Sequence, residues 1–137
     1  MTYQKNDKSP GVLNDPIEGY MSIDFFQLAS QAISKAYIKR VIKESRLSLT
    51  EFIDIIPISI DTYKRKVVFN PPVTEKVLEV EQVYKNGLEA FGEGFYDWME
   101  STNPSLGYKK PKELLVNSFG IRQLIAEIGR IEHGVLA

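Results

Sequence analysis

Apolar side chains recur along most of this chain at the three- and four-residue spacing that marks one face of an α-helix. The clearest stripe lies in the middle of the chain and consists of Val77, Val80, Tyr84, Leu88 and Phe91. It predicts a long helix that Thr74 caps and that Gly92 and Gly94 end. A second stripe predicts a final helix from about Phe119 to His133 and consists of Ile121, Leu124, Ile125, Ile128 and Ile131.

Shorter stripes predict helices before and between these two. A first short helix includes Phe25, Phe26, Leu28 and Ala29. In the next helix, Ile38, Val41, Ile42 and Leu47 share one face, and Lys35, Lys39, Arg40 and Lys43 share another. Another short helix contains Phe95, Trp98 and Met99, which with Phe91 and Leu106 have the spacing of a small core. Pro111 is well placed as the first residue of one more short helix.

Residues 48–66 carry the signals of two short helices joined by a tight turn. Ser48 and Glu51 form a capping box, Pro57 ends the first helix, and Ser59 caps the second. The side chains expected to face inward are Leu49, Phe52, Ile53 and Ile56 in the first helix and Ile60, Tyr63 and Val67 in the second. A polar and basic second helix after a tight turn is typical of a helix-turn-helix, although any pair of short helices can show this pattern.

The sequence Asn70-Pro71-Pro72 marks a boundary, because each proline restricts the backbone and the first disfavours helix at Asn70. Residues 1–20 are polar, with few apolar anchors, and predict a flexible leader. The chain then divides into a helical module over residues 21–70 and a second helical domain over residues 73–137. No strand is predicted. Residues 63–69 form the only ambiguous window, and no partner strand is evident, so the predicted fold class is all-α.

Charge is unevenly distributed, although the chain as a whole has a net charge of −1. Residues 30–70 carry eight basic and four acidic side chains, a net charge of +4. Residues 71–137 carry seven basic and ten acidic side chains, a net charge of −3, and residues 1–29 have a net charge of −2. A basic middle beside an acidic C-terminal half suggests two modules with different partners, and the basic module can meet nucleic acid. Alternatively, the basic side chains of residues 30–70 form a solvated helix face that binds no partner.

Composition excludes several kinds of chemistry. The chain has no cysteine and one histidine, so we expect neither disulfides nor a zinc site of the usual type. No segment approaches the roughly 20 apolar residues that span a bilayer, and no signal peptide is evident. We therefore expect a cytoplasmic protein that does not bind membranes, needs no cofactor and is not an enzyme, since no set of catalytic side chains can be assembled around His133.

The basic module supplies candidate contacts to DNA. In a helix-turn-helix the exposed side of the second helix lies in the major groove. The side chains on that side that suit contacts to bases and phosphates are Ser59, Thr62, Lys64 and Arg65. Among them, Arg65 is the best candidate for a contact to guanine. Three further lysines are expected to meet phosphates, namely Lys66, Lys39 and Lys43. Any one of these lysines alone is more often a solvated side chain.

Several motifs in the second half, with conserved order and spacing, carry a resemblance to a known family. They are Gly87-Leu88-Glu89-Ala90-Phe91-Gly92, Trp98-Met99, Asn103-Pro104-Ser105-Leu106-Gly107, Lys110-Pro111-Lys112-Glu113-Leu114-Leu115, Phe119-Gly120 and Gly129-Arg130-Ile131-Glu132-His133-Gly134-Val135. From about Val73 onward the sequence resembles the toxin-binding domain of the Xre/MbcA/ParS antitoxins. Members usually carry an Xre-type helix-turn-helix ahead of this domain, and residues 48–66 lie where that module should be, with a looser resemblance.

Two positions depart from the family pattern. After Leu106-Gly107 the family often has a second glycine, and here the residue is Tyr108. A glycine is also common in the turn of the helix-turn-helix, and this chain has Pro57. Both departures affect the expected geometry of a turn.

The resemblance implies a type II antitoxin that neutralises a RES-domain toxin and represses its own operon. Such toxins consume NAD or transfer ADP-ribose from it, and the antitoxin's C-terminal end enters or covers the NAD-binding cleft. The implied toxin-binding residues are Arg130, Glu132, His133, Gly134, Val135, Leu136 and Ala137. Glu132 and the terminal carboxylate are expected to mimic substrate anions, Gly134 to let the backbone leave the helix, and residues 135–137 to supply apolar contacts. Arg130 and His133 also suit the negative end of a helix dipole.

We also expect a homodimer, because a helix-turn-helix usually reads two half-sites. The alternative is a stand-alone dimeric helix-turn-helix regulator without a toxin, in which the C-terminal half serves dimerisation.

Overall fold

The long helix in the middle of the chain, α5, is the element against which most of the fold packs. The computed structural model describes residues 12–14 and 22–134. Within them the α-helices are α1 (Ser22–Ala29), α2 (Lys35–Ser45), α3 (Leu49–Ile55), α4 (Ile60–Arg65), α5 (Pro71–Phe91), α6 (Gly94–Glu100) and α7 (Ser118–Glu132). The strands are β1 (Val12–Leu13), β2 (Ala32–Ser34) and β3 (Val68–Phe69), and two 3₁₀ helices cover Pro104–Leu106 and Pro111–Val116. The predominance of helix confirms the predicted fold class.

One apolar core joins both halves of the chain. Helix α5 contacts α1, α2 and β2 on the N-terminal side and α6 and α7 on the C-terminal side. Its residues Val73, Val77, Val80 and Val83 are completely buried. Each such side chain contributes roughly 1.5–3 kcal/mol relative to an exposed one. The two predicted modules therefore share α5 and its core.

Helix α5 begins earlier than the sequence analysis predicts. It starts at Pro71, with Asn70 as the residue before the first turn. Both prolines fit there because the first backbone N–H groups of a helix have no partner within it. Thr74, predicted as the cap, lies inside the helix and is buried, and its hydroxyl donates to the Gln31 carbonyl oxygen at 2.6 Å.

A small three-stranded sheet corrects the prediction that the chain has no strand. Strand β2 pairs in parallel with β1 and antiparallel with β3. Val12–Leu13 lies in the segment predicted to be a flexible leader, yet it is hydrogen-bonded to β2, and Leu13 is buried. Strands of two or three residues are too short to show the alternation on which strand prediction depends. Strand β2, with which residues 68–69 pair, is likewise too short to be predicted from the sequence.

Most residues predicted to face inward do so, with exceptions near helix ends and on short elements. Leu49 and Val67 are exposed, and Ile55 is buried in α3 beside Phe52. Phe26 is 73% exposed, and Ile131 is 40% exposed. A periodic pattern gives the direction of each side chain but not whether a neighbouring element covers it. The predicted aromatic core is confirmed, since Phe95 and Leu106 are buried and Phe91 and Trp98 pack against them.

Polar contacts also tie the basic module to the C-terminal half. The Arg46 guanidinium lies 3.7 Å from the centre of the Tyr96 ring and pairs with Glu93 at 3.0 Å. The Tyr96 hydroxyl donates to the Glu44 carbonyl oxygen at 2.6 Å. The Lys112 ammonium bridges two carboxylates. It lies 2.6 Å from Glu51 in α3 and 2.9 Å from Glu100 in α6. These contacts favour one fixed arrangement of the two halves.

A buried carboxyl group lies between α2 and α5. The Tyr37 hydroxyl donates to Glu81 Oε1, and both side chains are buried. Burial raises the pKa of Glu81 above its ordinary value of 4.5, and the hydrogen bond from Tyr37 lowers that pKa only in part. The folded protein thus binds this proton more tightly than the unfolded chain does. This contribution to the free energy of unfolding falls as the pH rises from 4.5 through the raised pKa.

We expect Glu81→Gln to raise the free energy of unfolding at pH 7. Glutamine keeps an oxygen that can accept from Tyr37 and removes the cost of burying a negative charge. Urea unfolding of both proteins at pH 5 and pH 7 measures the effect, and the advantage of the variant should be larger at pH 7. A difference that does not change with pH would contradict this explanation.

Candidate functional site

The turn between α3 and α4 is built as the sequence predicts. Glu51 N donates to Ser48 Oγ at 3.1 Å, and Ser48 N donates to Glu51 Oε1 at 2.9 Å, which completes the capping box. The next cap is Ser59, whose Oγ accepts from Thr62 N at 3.1 Å. The Ser59 hydroxyl also donates to Thr62 Oγ1 at 3.0 Å. The two hydroxyls predicted to contact DNA therefore already serve to hold the start of α4.

The exposed positive charges of α4 lie at its C-terminal end, and the exposed Asp61 lies at its start. Lys64, Arg65 and Lys66 are all exposed there. Lys35, at the start of α2, lies beside them: its ammonium donates to the Lys64 carbonyl oxygen at 3.2 Å and lies 4.9 Å from the centre of the Tyr63 ring. Lys35 belongs to the predicted polar face of α2 and is not among the predicted DNA contacts. Only the packing of α2 against the end of α4 reveals its position.

Lys39 and Lys43 extend this set of charges along α2. Both are exposed and follow Lys35 at intervals of four residues, so the three ammonium groups lie along one side of the helix. We call Lys35, Lys39, Lys43, Lys64, Arg65 and Lys66 the basic surface. The structure thus joins the lysines of α2 to the end of α4 through Lys35.

The end of α7 has the geometry that the C-terminal motif predicts. The last helical hydrogen bond runs from His133 N to the Gly129 carbonyl oxygen at 3.0 Å, and Gly134 N donates to the Ile131 carbonyl oxygen at 3.1 Å. Gly134 has φ of 68°, a left-handed conformation that glycine adopts without steric cost. Helical backbone geometry therefore ends at Gly134. The remaining predicted contacts, Val135, Leu136 and Ala137, lie outside the described residues.

The polar side chains at this end differ in how they are held. Arg130 forms an ion pair with Glu127 one turn earlier, and Glu127 is buried. The Arg130 side chain remains 52% exposed. Glu132 and His133 are exposed at the last turn. The predicted toxin-binding residues 130 and 132–134 are therefore accessible, and Arg130 is paired with a buried carboxylate.

In the turn before the second 3₁₀ helix, Tyr108 occupies the position where the family often has a glycine. Gly107 and Tyr108 both have positive φ, 69° and 62°, and Tyr108 is 74% exposed. Tyr108 thus adopts the backbone conformation that a glycine would take, at a cost that bulky residues normally avoid. The turn is closed by a hydrogen bond from Asn103 N to the Lys109 carbonyl oxygen at 3.0 Å.

In the part of the chain that the structure describes, no group of three or more histidine, cysteine, aspartate or glutamate side chains is arranged to hold a metal ion. Among the same residues, no helix is both long and apolar enough to cross a bilayer.

Comparison with known proteins agrees with this arrangement, in which a small helical domain presents the end of its last helix. Residues 87–134 match the family described as the antitoxin Xre/MbcA/ParS C-terminal toxin-binding domain. This range runs from the last turns of α5 to Gly134 and includes the whole of α7. Over residues 87–134 the chain is therefore similar to the toxin-binding domain of these antitoxins.

Solved structures show the same fold. A chain of the MbcT–MbcA toxin–antitoxin complex of M. tuberculosis superposes with a TM-score of 0.57 at 20% sequence identity. The match covers 75% of this chain and 96% of that chain. No curated protein matches this sequence.

Proposed function

We propose that this antitoxin neutralises a RES-domain toxin that consumes NAD, by covering the NAD-binding cleft with the segment that follows α7. The observation that carries the proposal is the end of α7, where the last turn is exposed and Gly134, with φ of 68°, ends the helical geometry. This turn lies inside the region that matches the toxin-binding domain. The resemblance to the family supplies the kind of toxin.

The exposed groups suit such a cleft. A site that binds the pyrophosphate of NAD needs positive charge, and the Glu132 carboxylate is exposed and accessible to it. Glycine at position 134 allows the backbone to approach the walls of a narrow cleft closely. Arg130, on the last turn before Glu132, pairs with the buried Glu127.

Co-purification tests the proposal directly. The full-length antitoxin should form a stable complex with the product of the neighbouring gene, and that product should degrade NAD or modify a target with ADP-ribose when the antitoxin is absent. A neighbouring gene without a RES domain would favour the second candidate, a regulator without a toxin, for which the basic surface is the supporting observation.

We further propose that the protein represses its own operon as a homodimer through the basic surface. In a helix-turn-helix the first residues of the second helix usually contact bases. Here Ser59 and Thr62 bond to each other, and the charges lie at the opposite end of α4. This arrangement supports phosphate contacts by Lys64, Arg65 and Lys66, continued along α2 by Lys39 and Lys43.

We expect Lys64→Ala to weaken operator binding and to make it less sensitive to salt. Losing one phosphate contact should reduce the slope of log affinity against log salt by about 0.9. Fluorescence anisotropy with an operator duplex at several salt concentrations measures both quantities. Lys109→Ala removes an exposed lysine on the turn at residues 103–109 and is the matched control. Equal slopes for the two variants would show that Lys64 does not contact phosphate.

A further inference from the structure

Helix α7 has an exposed face that runs from its first turn to its last. Six exposed residues follow one another at intervals of one, three or four positions, and these are Phe119, Arg122, Gln123, Ala126, Arg130 and His133. The opposite side of the helix is buried and carries Ile121, Leu124 and Ile128. At about 1.5 Å per residue the exposed row is roughly 21 Å long. We call this row the α7 face.

A large apolar side chain stands at the start of the α7 face on a rigid base. Phe119 is 77% exposed, and the neighbouring Val116 is 52% exposed. The Asn117 side chain caps the helix by accepting from Gly120 N at 2.8 Å. Gly120 packs so closely on the Leu114 carbonyl oxygen that a Cβ would lie 2.0 Å from it. An exposed aromatic ring held on a fixed backbone loses little conformational entropy on binding, which is typical of the side chains that anchor protein interfaces.

The charges of the α7 face are opposite in sign to those of its half of the chain. Arg122 and Arg130 are exposed on it, and the Arg122 guanidinium lies 4.6 Å from the centre of the Phe119 ring. The acidic residues of α7 are Glu127, which is buried beneath Arg130, and Glu132. At about 100° per residue, Glu132 lies roughly 200° around the helix from Arg130. The α7 face therefore presents the positive charge of Arg122, the Arg130–Glu127 ion pair and an aromatic ring, while Glu132 points elsewhere.

We infer that the α7 face binds an acidic and partly apolar surface of the toxin, outside the NAD-binding cleft, with Phe119 in an apolar pocket. The inference rests on the proposed function. It follows from charge, because a cleft that attracts Glu132 would repel Arg122, the cation of this face that is not paired with Glu127. It follows also from position, because the whole α7 face lies within residues 87–134. The toxin surface then has two parts, a basic cleft for the end of the chain and an acidic rim for α7.

Two substitutions test this inference in the full-length antitoxin against a catalytically inactive form of the toxin encoded beside it. Phe119→Ala should raise the dissociation constant at least about 30-fold, as expected for an anchoring aromatic residue. Arg122→Glu should slow association and remove part of its dependence on salt, because it places a negative charge against an acidic rim. Matched controls are Tyr108→Ala, which removes another exposed aromatic side chain, and Lys109→Glu, which reverses another exposed charge.

The outcomes separate the inference from the proposed function. If both α7-face variants bind the toxin like their controls, while deletion of residues 134–137 abolishes binding, the inference is wrong and the proposed function stands. If the variants lose operator affinity and keep toxin affinity, the α7 face contacts DNA and the inference is again wrong. If the unaltered antitoxin does not bind the toxin, the proposed function fails, and the inference fails with it.

Discussion

Deletion of residues 134–137 should abolish neutralisation of the toxin and leave operator binding unchanged. The affected residues follow the last turn of α7, and the last buried apolar residue of that helix is Ile128. The deletion removes one described hydrogen bond, from Gly134 N to the Ile131 carbonyl oxygen. The fold and the distant basic surface should therefore persist, while the segment proposed to fill the cleft is lost. We expect affinity for the toxin to fall by at least about 100-fold.

Growth rescue during toxin expression and titration of the purified toxin measure this effect. Full rescue by the truncated antitoxin would show that the end of the chain is not the inhibitory element. Gly134→Val gives a finer test, because a β-branched side chain is strained at φ of 68° and should redirect the chain. Its neutralising activity should fall between those of the unaltered protein and the deletion. An unchanged activity would mean that the turn at Gly134 does not direct the segment.

The elements that could be predicted from the sequence are those with a long apolar period. Along α5 the stripe correctly predicts the burial of Val77, Val80 and Tyr84. Along α7 the second stripe does the same for Leu124 and Ile128. The capping box at Ser48 and the turn at Gly134 were also predicted, because each depends on residues close together in the sequence. Local signals thus determine the helices and their ends.

The features that escaped prediction depend on contacts between distant parts of the chain. The sheet pairs residues 12–13, 32–34 and 68–69, and none of these segments is long enough to show a strand pattern. Lys35 joins the end of α4 only because α2 packs beside it. The acidic C-terminal half suggested an acidic binding surface, yet the exposed α7 face carries the positive charge of Arg122, while Glu127 is buried and paired with Arg130. Net charge does not reveal which face a charge occupies.

Gly120→Ala should strongly destabilise the fold, whereas Gly129→Ala on the same helix should stabilise it. At position 120 a Cβ would lie 2.0 Å from the carbonyl oxygen and 2.8 Å from the carbonyl carbon of Leu114. Both are backbone atoms, so the added methyl group cannot be accommodated by rotating a side chain. The start of α7 must move away from the second 3₁₀ helix, and the packing of the buried Leu115 and Ile121 loosens. We expect a loss of about 3 kcal/mol, at the upper end of the cost of overpacking.

Gly129 is a control of the same chemistry in the same helix. A Cβ there would meet no described atom within 4 Å, and alanine is favoured over glycine in a helix by roughly 0.5–1 kcal/mol. Thermal unfolding of both variants, followed by circular dichroism, should give melting temperatures displaced in opposite directions from that of the unaltered protein. Similar melting temperatures for the two variants would mean that α7 does not need close contact with Leu114. Because that contact fixes Phe119 and the whole exposed row behind it, Gly120→Ala should also weaken toxin binding at temperatures where the protein is still folded.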